Sequence, residues 1–323
     1  MSVSKIVGRQ RTQDSTLSYF INQLDNLDPR LYEPLTSVTW GRDIKLRGGV
    51  TLSNESTSFI RSAFGAPGTL NNSSNMPFIS AETTAIPGVE VNGQRIVLPL
   101  RPLARELSYT SIELARSQQT GQPIDVQKMN AMNILYQMNT DQMVYIGATE
   151  VGATGLVNTS GITSGTVANG VSGSPLWVNK TPDEILADVN TLLTSTWQAA
   201  AFAVCPGKLL LPPAQFSYIT SQKVSSAGNV SILKFLKENA ISLQINGKEL
   251  DIQPLKWLTG RGSGGSNRMV AYTNEEQYVR FPMVPIMRQT AYYQGIRFTA
   301  PYLWLFGEME FVYPETLQYA DGI

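Results

Sequence analysis

The side chains that most often carry chemistry are scarce in this chain. Its 323 residues include no histidine and a single cysteine. Without histidine there is no imidazole to act as general base, proton shuttle or zinc ligand. Cys205 stands in the apolar run Ala203-Val204-Cys205-Pro206. With no imidazole to ionise it, it reads as a small buried hydrophobe rather than a nucleophile. Two carboxylate pairs remain, Asp183/Glu184 and Glu308/Glu310. A hydrolytic acid/base pair must face its partner across a cleft. Asp183 and Glu184 instead follow Thr181-Pro182 in the first turn of a helix, where acids complement the dipole. Glu308 and Glu310 alternate with Met309 and Phe311, the pattern of a strand with one wet and one dry face. Gly260-Arg261-Gly262-Ser263-Gly264-Gly265 spells G-x-G-x-x-G, yet a dinucleotide site needs a helix N-terminus after it. The strand Arg268–Tyr272 follows instead, so the glycines read as a loop. No catalytic, cofactor-binding or metal-binding residue is assigned, and the expectation is a protein that is not an enzyme. A carboxylate-dependent hydrolase is the alternative that the acidic pairs leave open.

Composition points the same way. Lysine plus arginine equals aspartate plus glutamate, and charged residues make up 15%, well under the usual quarter. A lone molecule with so little charge tends to self-associate, and the same composition suits a surface that ends in protein contacts. Neutral balance argues against a dedicated nucleic-acid binder. The opening Met1–Lys5 does not read as a signal peptide, and no run approaches the 18 or so apolar residues of a membrane span. The lone cysteine fits a reducing compartment. Synthesis in a cytoplasm is expected, without membrane association.

The elements that would position these groups centre on one helix. No proline or glycine interrupts Ile124 to Ile146. Met129, Met132, Leu135, Tyr136, Met143 and Ile146 share one stripe, and Ala131, Ile134, Met138 and Tyr145 a second. Asn130, Asn133, Gln137 and Thr140, with Asp141 beside them, form an uncharged strip between the two. A helix with two apolar faces packs on two sides, against its own chain or another copy.

Before it, residues 1–38 read as an arm, basic at Lys5, Arg9 and Arg11, with a short amphipathic helix over Thr16–Leu27. Residues 39–104 read as an excursion too thin for a core of its own. It holds a short helix near Asn54–Phe64, and a hairpin over Val89–Leu98 turning at Asn92-Gly93. The strand Arg105–Thr110 and a short helix lead into the long helix. After that helix comes a small-residue linker, 147–175. A mixed domain follows: the helix from Thr181, a strand Lys208–Leu211, helices from Ala214 and Ser231, a hairpin Leu243–Ile252 turning at Asn246-Gly247, and the strand Arg268–Tyr272. The tail is rich in β-prone residues, over Gln289–Thr299 and Leu303–Tyr313.

This order, together with Arg105-Glu106-Leu107-Ser108-Tyr109-Thr110-Ser111-Ile112-Glu113-Leu114, the helix that follows and Gly155-Leu156-Val157-Asn158, resembles the major capsid proteins of tailed bacteriophages. These have the Hong Kong 97-like fold. Pro301 to Tyr313 is similar to the strand that returns beside the long helix. The resemblance implies an α+β chain divided into an N-terminal arm (1–38), an extended loop (39–104), a peripheral domain (105–150 with 275–323, spine helix 124–146) and an axial domain (151–274). It implies hexameric and pentameric capsomers of this one chain closing into an icosahedral shell around double-stranded DNA that is contacted non-specifically. Scaffolding, portal and decoration proteins are further expected partners. Assembly in the host bacterial cytoplasm and a final place in the virion are implied too. An encapsulin-type nanocompartment shell, the same fold around enzyme cargo, is the nearest alternative. Arg9, Arg11, Trp40, Arg42, Arg47, Arg95 and Arg261 are the candidate contacts between subunits.

Overall fold

In this computed structural model, residues 36–65, 89–120, 124–225 and 228–323 are described. The basic arm with Lys5, Arg9 and Arg11, the helix expected over Thr16–Leu27 and residues 66–88 of the excursion lie outside them.

The long helix, α3, runs from Ile124 to Tyr145, about 33 Å at 1.5 Å per residue. The strand expected before it is β4, Arg101–Thr110, followed by α2, Ser111–Thr120. β4 pairs antiparallel along its whole length with β12, Arg297–Phe306, from Arg101 opposite Phe306 to Thr110 opposite Arg297. This is the returning strand, starting a few residues earlier than the sequence indicated. On its other side β12 pairs first with β11, Tyr292–Gln294, and then with β10, Met283–Arg288. Pro301 falls at the gap between those two partners, where its missing N–H breaks no ladder bond. Alternate residues of β12 face the helix: Tyr136 meets Trp304 edge-on at 5.7 Å and stacks on Phe306 at 6.0 Å.

A second sheet has the order β5-β14-β8-β6-β7. Its strands are Ser164–Thr166, Leu317–Asp321, Arg268–Tyr272, Lys208–Leu211 and Asp251–Pro254 respectively. Helices α4 (Pro182–Ala199), α5 (Pro213–Ser221), α6 (Ile232–Asn239) and α7 (Ile241–Asn246) accompany it. The start of α4 is a complete capping box: Glu184 N–H donates to the Thr181 hydroxyl, and Thr181 N–H donates to the Glu184 carboxylate. Ile185, Val189 and Leu193 of α4 bury against Leu209 and Leu211 of β6. The tail thus serves both sheets, β10–β12 in the first and β14 in the second.

The structure corrects several local expectations. Val89–Leu98 is not a hairpin; Glu90–Pro99 is one continuous strand, β3, pairing antiparallel with β2, Ser56–Gly65. Asn92 and Gly93 lie mid-strand opposite Ala63 and Ser62. A ten-residue partner satisfies more backbone groups than the short arms of a local turn. The same pairing makes Asn54–Phe64 a strand rather than a helix. Asn246-Gly247 is a helix end, with Gly247 left-handed (φ 66°) donating to Leu243 O. Residues Leu250–Ile252 then lead into β7, which is parallel to β6.

The expected linker is core: Ala153, Leu156, Val157 and Ile162 are buried against the long helix. Leu156 N–H and Val157 N–H donate to Val144 O and Tyr145 O. A Cβ on Gly155 would lie 2.3 Å from the Tyr145 carbonyl carbon. Gly155→Ala should therefore push this segment off the helix and cost more than about 2 kcal/mol in urea unfolding. Gly152→Ala, at φ 70° but facing open space, should cost only about 1 kcal/mol. Equal losses in the two variants would contradict this packing.

Candidate functional site, a joint of buried carboxylates

The chemistry this fold concentrates is ionic and structural. Asp43, Asp141 and Glu310 are each 0% exposed, although a bare carboxylate is among the costliest groups to bury. Each is saturated by donors from distant parts of the chain.

Asp141 projects from the long helix. Its Oδ1 accepts Thr39 N–H at 2.8 Å and Trp40 N–H at 3.2 Å. Its Oδ2 accepts Trp257 Nε1–H at 2.8 Å and lies 3.3 Å from Lys256 Nζ. Lys256 also donates to Ser37 O at 2.6 Å. The strip read as uncharged and polar is therefore fully buried at Thr140, as is Asp141 beside it. The second apolar stripe divides: Tyr145 is buried, while Ala131 and Met138 are exposed.

Asp43 ends the short helix α1, Trp40–Asp43. It takes Arg42 in a two-pronged pair at 2.7 and 2.9 Å, Tyr145 O–H at 2.5 Å and Lys208 Nζ at 3.1 Å. Tyr272 O–H donates to its backbone carbonyl at 2.6 Å. Lys208 also pairs with Asp251 at 2.9 Å. Burial, then the charge of Asp43, drives the Tyr145 phenol far above its ordinary range; Tyr272 is raised by burial first as well. Both phenols stay neutral and serve as donors.

Glu310 lies in β13, Glu310–Phe311. It accepts Arg47 at 2.5 Å and Arg280 Nε at 2.6 Å. The wet face expected of Glu308 and Glu310 holds only for Glu308, which meets Arg101 at 3.5 Å. Alternation failed here because residues 307–309 interrupt the expected strand and Glu310 faces Arg47 and Arg280. Asp321, at the end of the second sheet, holds Arg268 at 2.6 and 2.9 Å and accepts Ser164 O–H and Ser263 N–H. Burial pushes its carboxyl up, but the Arg268 guanidinium and these hydrogen bonds outweigh that and hold it below the ordinary range.

Of the residues singled out from sequence, the structure brings Trp40, Arg42 and Arg47 into this joint. Trp40 Nε1–H donates to Gln137 at 2.9 Å. Arg42 spans from Asp43 to Gln253 and Pro254 O. Arg95 is exposed on β3 and donates to the Ser58 hydroxyl at 3.2 Å. Arg261 is exposed in the glycine loop, where Gly260, Gly264 and Gly265 take positive φ; no helix follows that loop. Arg9 and Arg11 lie outside the described residues. In the sequence Glu310 reads as part of the wet face of a strand, Tyr145 as part of the second apolar stripe and Asp141 as a neighbour of the polar strip. Lys208 and Arg280 were not singled out, and an acid within an apolar helical stretch was the one available signal for the joint. Cys205 is buried, which lifts its thiol to about 11. Among the described residues no group of three or more His, Cys, Asp and Glu side chains could hold a metal ion. No helix among them is long and apolar enough to cross a membrane.

Residues 76–323 match the family model described as "Major capsid protein". No curated protein sequence matches the chain. Among solved structures, the capsid of the Myoviridae phage XM1 superposes with a TM-score of 0.74 at 15% identity, covering 94% of this chain and 98% of that one. A chain from Mycobacterium phage Ogopogo gives 0.56 at 9% identity, with coverage of 92% and 96%. The SrpI encapsulin of Synechococcus elongatus gives 0.51 at 13% identity, with coverage of 94% and 95%.

Asp43→Ala should cost about 3–5 kcal/mol in urea unfolding, since it strips a buried acceptor from Arg42, Tyr145 and Lys208 together. A loss under about 1 kcal/mol would show that the cluster holds nothing. The depressed carboxyl of Asp321 contributes stability that is fully present above the unfolded pKa near about 4 and is lost as pH falls through the lower folded value. Asp321→Asn should therefore weaken the protein at about pH 7 and flatten its loss of stability below about pH 4. An unchanged acid limb would exclude that role.

Proposed function

The chain belongs to the major capsid protein family of tailed bacteriophages, with the Hong Kong 97-like α+β fold, and we propose that copies of it assemble as hexamers and pentamers into an icosahedral shell enclosing packaged double-stranded DNA. Its general role is structural: it forms a capsid shell and is not an enzyme. The finer reading rests on one observation above others, the unfinished surface of the β2–β3 hairpin. Ile60, Val91 and Val97 are 67, 61 and 51% exposed there, and all three lie on the same face of the hairpin, as its register requires. Leu135 and Met138 of the long helix are exposed as well. Apolar faces of this kind on a charge-poor chain are what a neighbouring copy would cover.

In this reading residues 1–38 are the arm and 39–104 the extended loop, with the hairpin as its reach. Residues 105–150 with 275–323 form the peripheral domain and 151–274 the axial domain at the capsomer centre, with β14 of the tail crossing over to complete the axial domain's sheet. Arg9, Arg11, Trp40, Arg42, Arg47, Arg95 and Arg261 are the proposed neighbours of adjoining subunits, those of the joint acting from within it. Scaffolding, portal and decoration proteins complete the partners. DNA is contacted without sequence preference, and assembly takes place in the host cytoplasm before the chain ends in the virion. An encapsulin-type compartment is the competing reading, supported by the likeness to SrpI but with the weaker superposition.

Electron microscopy of the chain expressed with its phage neighbours should show closed icosahedral particles with nuclease-protected DNA inside. Particles holding a folded enzyme instead would establish the competing reading. A stable 35.4 kDa monomer under all assembly conditions would remove both.

A further inference from the structure

The β2–β3 hairpin has almost no support along its length. Its two strands pair with each other from Ser56 opposite Pro99 to Gly65 opposite Glu90. They make only sparse contacts with the other described elements. At its root Leu100 N–H donates to Glu55 O at 2.9 Å, and Leu100 packs against Leu305 and Val284. Beyond the root, an open cavity of about 550 Å³ lies between β2 and the loops of the body. Arg61, Ser62, Ala203, Tyr278, Tyr313 and Glu315 line it. None of the apolar cores includes a residue of β2 or β3 among the described residues.

Two arginines bridge to the body. Arg47 donates with one nitrogen to Glu310 and with the other to Ser58 O of β2 at 3.1 Å. Arg61 leaves β2 and donates to Phe311 O and Val312 O at 3.1 and 3.0 Å, in the residues directly after Glu310. Val312 is itself tied to Tyr278 O through its N–H at 2.9 Å, and Glu310 is tied to Arg280. Ser58 and Arg61 stand three residues apart, about 10 Å along a strand. One attachment would leave a pivot, whereas two that far apart define a direction.

We propose that Arg47 and Arg61 set the angle at which the hairpin leaves the subunit, with Glu310 as the positioning residue behind Arg47, and that this angle controls how uniformly neighbouring copies join. The inference rests on the shell-forming reading for its second half only. Arg61 Nε–H is buried with no hydrogen-bond partner, so the side chain is held by its tip alone. The clamp can therefore be released without leaving a buried carboxylate uncompensated, as loss of Arg280 or Arg47 would.

The test is Arg61→Ala beside Arg61→Lys in the full chain. Hydrogen exchange is read by mass spectrometry on subunits, and particle diameters are read by electron microscopy. Arg61→Ala should speed exchange across 56–65 and 90–99 by about tenfold, the loss of two hydrogen bonds. Exchange in Ile124–Tyr145 should stay unchanged, and the spread of diameters should widen. Arg61→Lys, which keeps a cationic donor on a slightly shorter arm, should stay nearer the wild type than Arg61→Ala in both readouts. Unchanged hairpin exchange in Arg61→Ala would overturn the clamp. So would faster exchange in the long helix, or failure to fold, since either would make Arg61 a core residue. If the wild type forms no particles, the shell reading fails while the exchange comparison still decides the clamp.

Discussion

A carboxylate removed from water must find all its donors inside the protein, and that requirement fixes how the two halves of this subunit meet. Asp141 belongs to the long helix, Asp43 to the short helix before β1, Lys45–Leu46, and Glu310 to the tail. Their donors come from residues 39–47, from the body of the second sheet at Lys208 and Trp257, and from Arg280. Residues 37–47 bury Ile44 and part of Trp40 in the first core, and Asp141 and Glu310 draw their backbone and side chains further into the seam of both sheets. An ion pair of this kind gives little net stability over a well-packed apolar contact, but it tolerates few alternative arrangements. The joint contributes a defined relative placement of two sheets that share one C-terminal tail.

Spending charges indoors has a consequence outside. The chain is 15% charged, and Asp43, Asp141, Glu310, Asp321, Lys180 and Lys208 are all buried. Those six charges are withdrawn from a surface that has few to spare. Repulsion between copies is correspondingly weak, and desolvating a subunit face costs less. The same economy separates a finished body, whose cores close around Trp304 and Leu209, from a hairpin that ends in exposed valine and isoleucine.

The sequence made legible whatever is governed by local chemistry or long periodicity. The capping box at Thr181 and Glu184 needs only neighbours three residues apart, and it is present as spelled. The long helix is uninterrupted by breakers over six turns, so its limits were read to within a residue. The helix from Ser231 and the strands at Lys208 and Arg268 were likewise local. What stayed hidden depends on partners remote in sequence. Asn92-Gly93 has every mark of a turn, yet a full-length strand at 56–65 offers its backbone more bonds. Asn246-Gly247 carries the same dipeptide and closes a helix, because a left-handed residue serves both ends equally well. Glu310 alternates as a solvent-facing residue should, and only the arrival of Arg47 and Arg280 makes its burial possible. Trp40, Arg42 and Arg47 were noticed for their types, but Asp43, which holds Arg42, was not, and Glu310, which holds Arg47, was read as solvent-facing.

The linker between the long helix and the second sheet shows why composition misleads at such a joint. Glycine, threonine and serine suggest a flexible tether, and a tether would let the two sheets drift. Here the small residues permit the opposite. Gly155 lets the backbone lie directly on the end of the helix, so that Leu156 and Val157 can bond to Val144 and Tyr145. Asn158 then closes the contact, donating to Ile146 O at 2.8 Å while accepting Gly155 N–H. Arg268 reaches across from the second sheet to Val157 O at 2.8 Å, and Tyr319 O–H reaches Leu156 O at 2.6 Å. Small side chains remove the steric barrier to backbone contact, and backbone contact is directional. The seam is therefore locked from two sides, by carboxylates on one and by main-chain hydrogen bonds on the other. Such a subunit moves as one body, and whatever adjustment its neighbours demand falls on the segments that project from it.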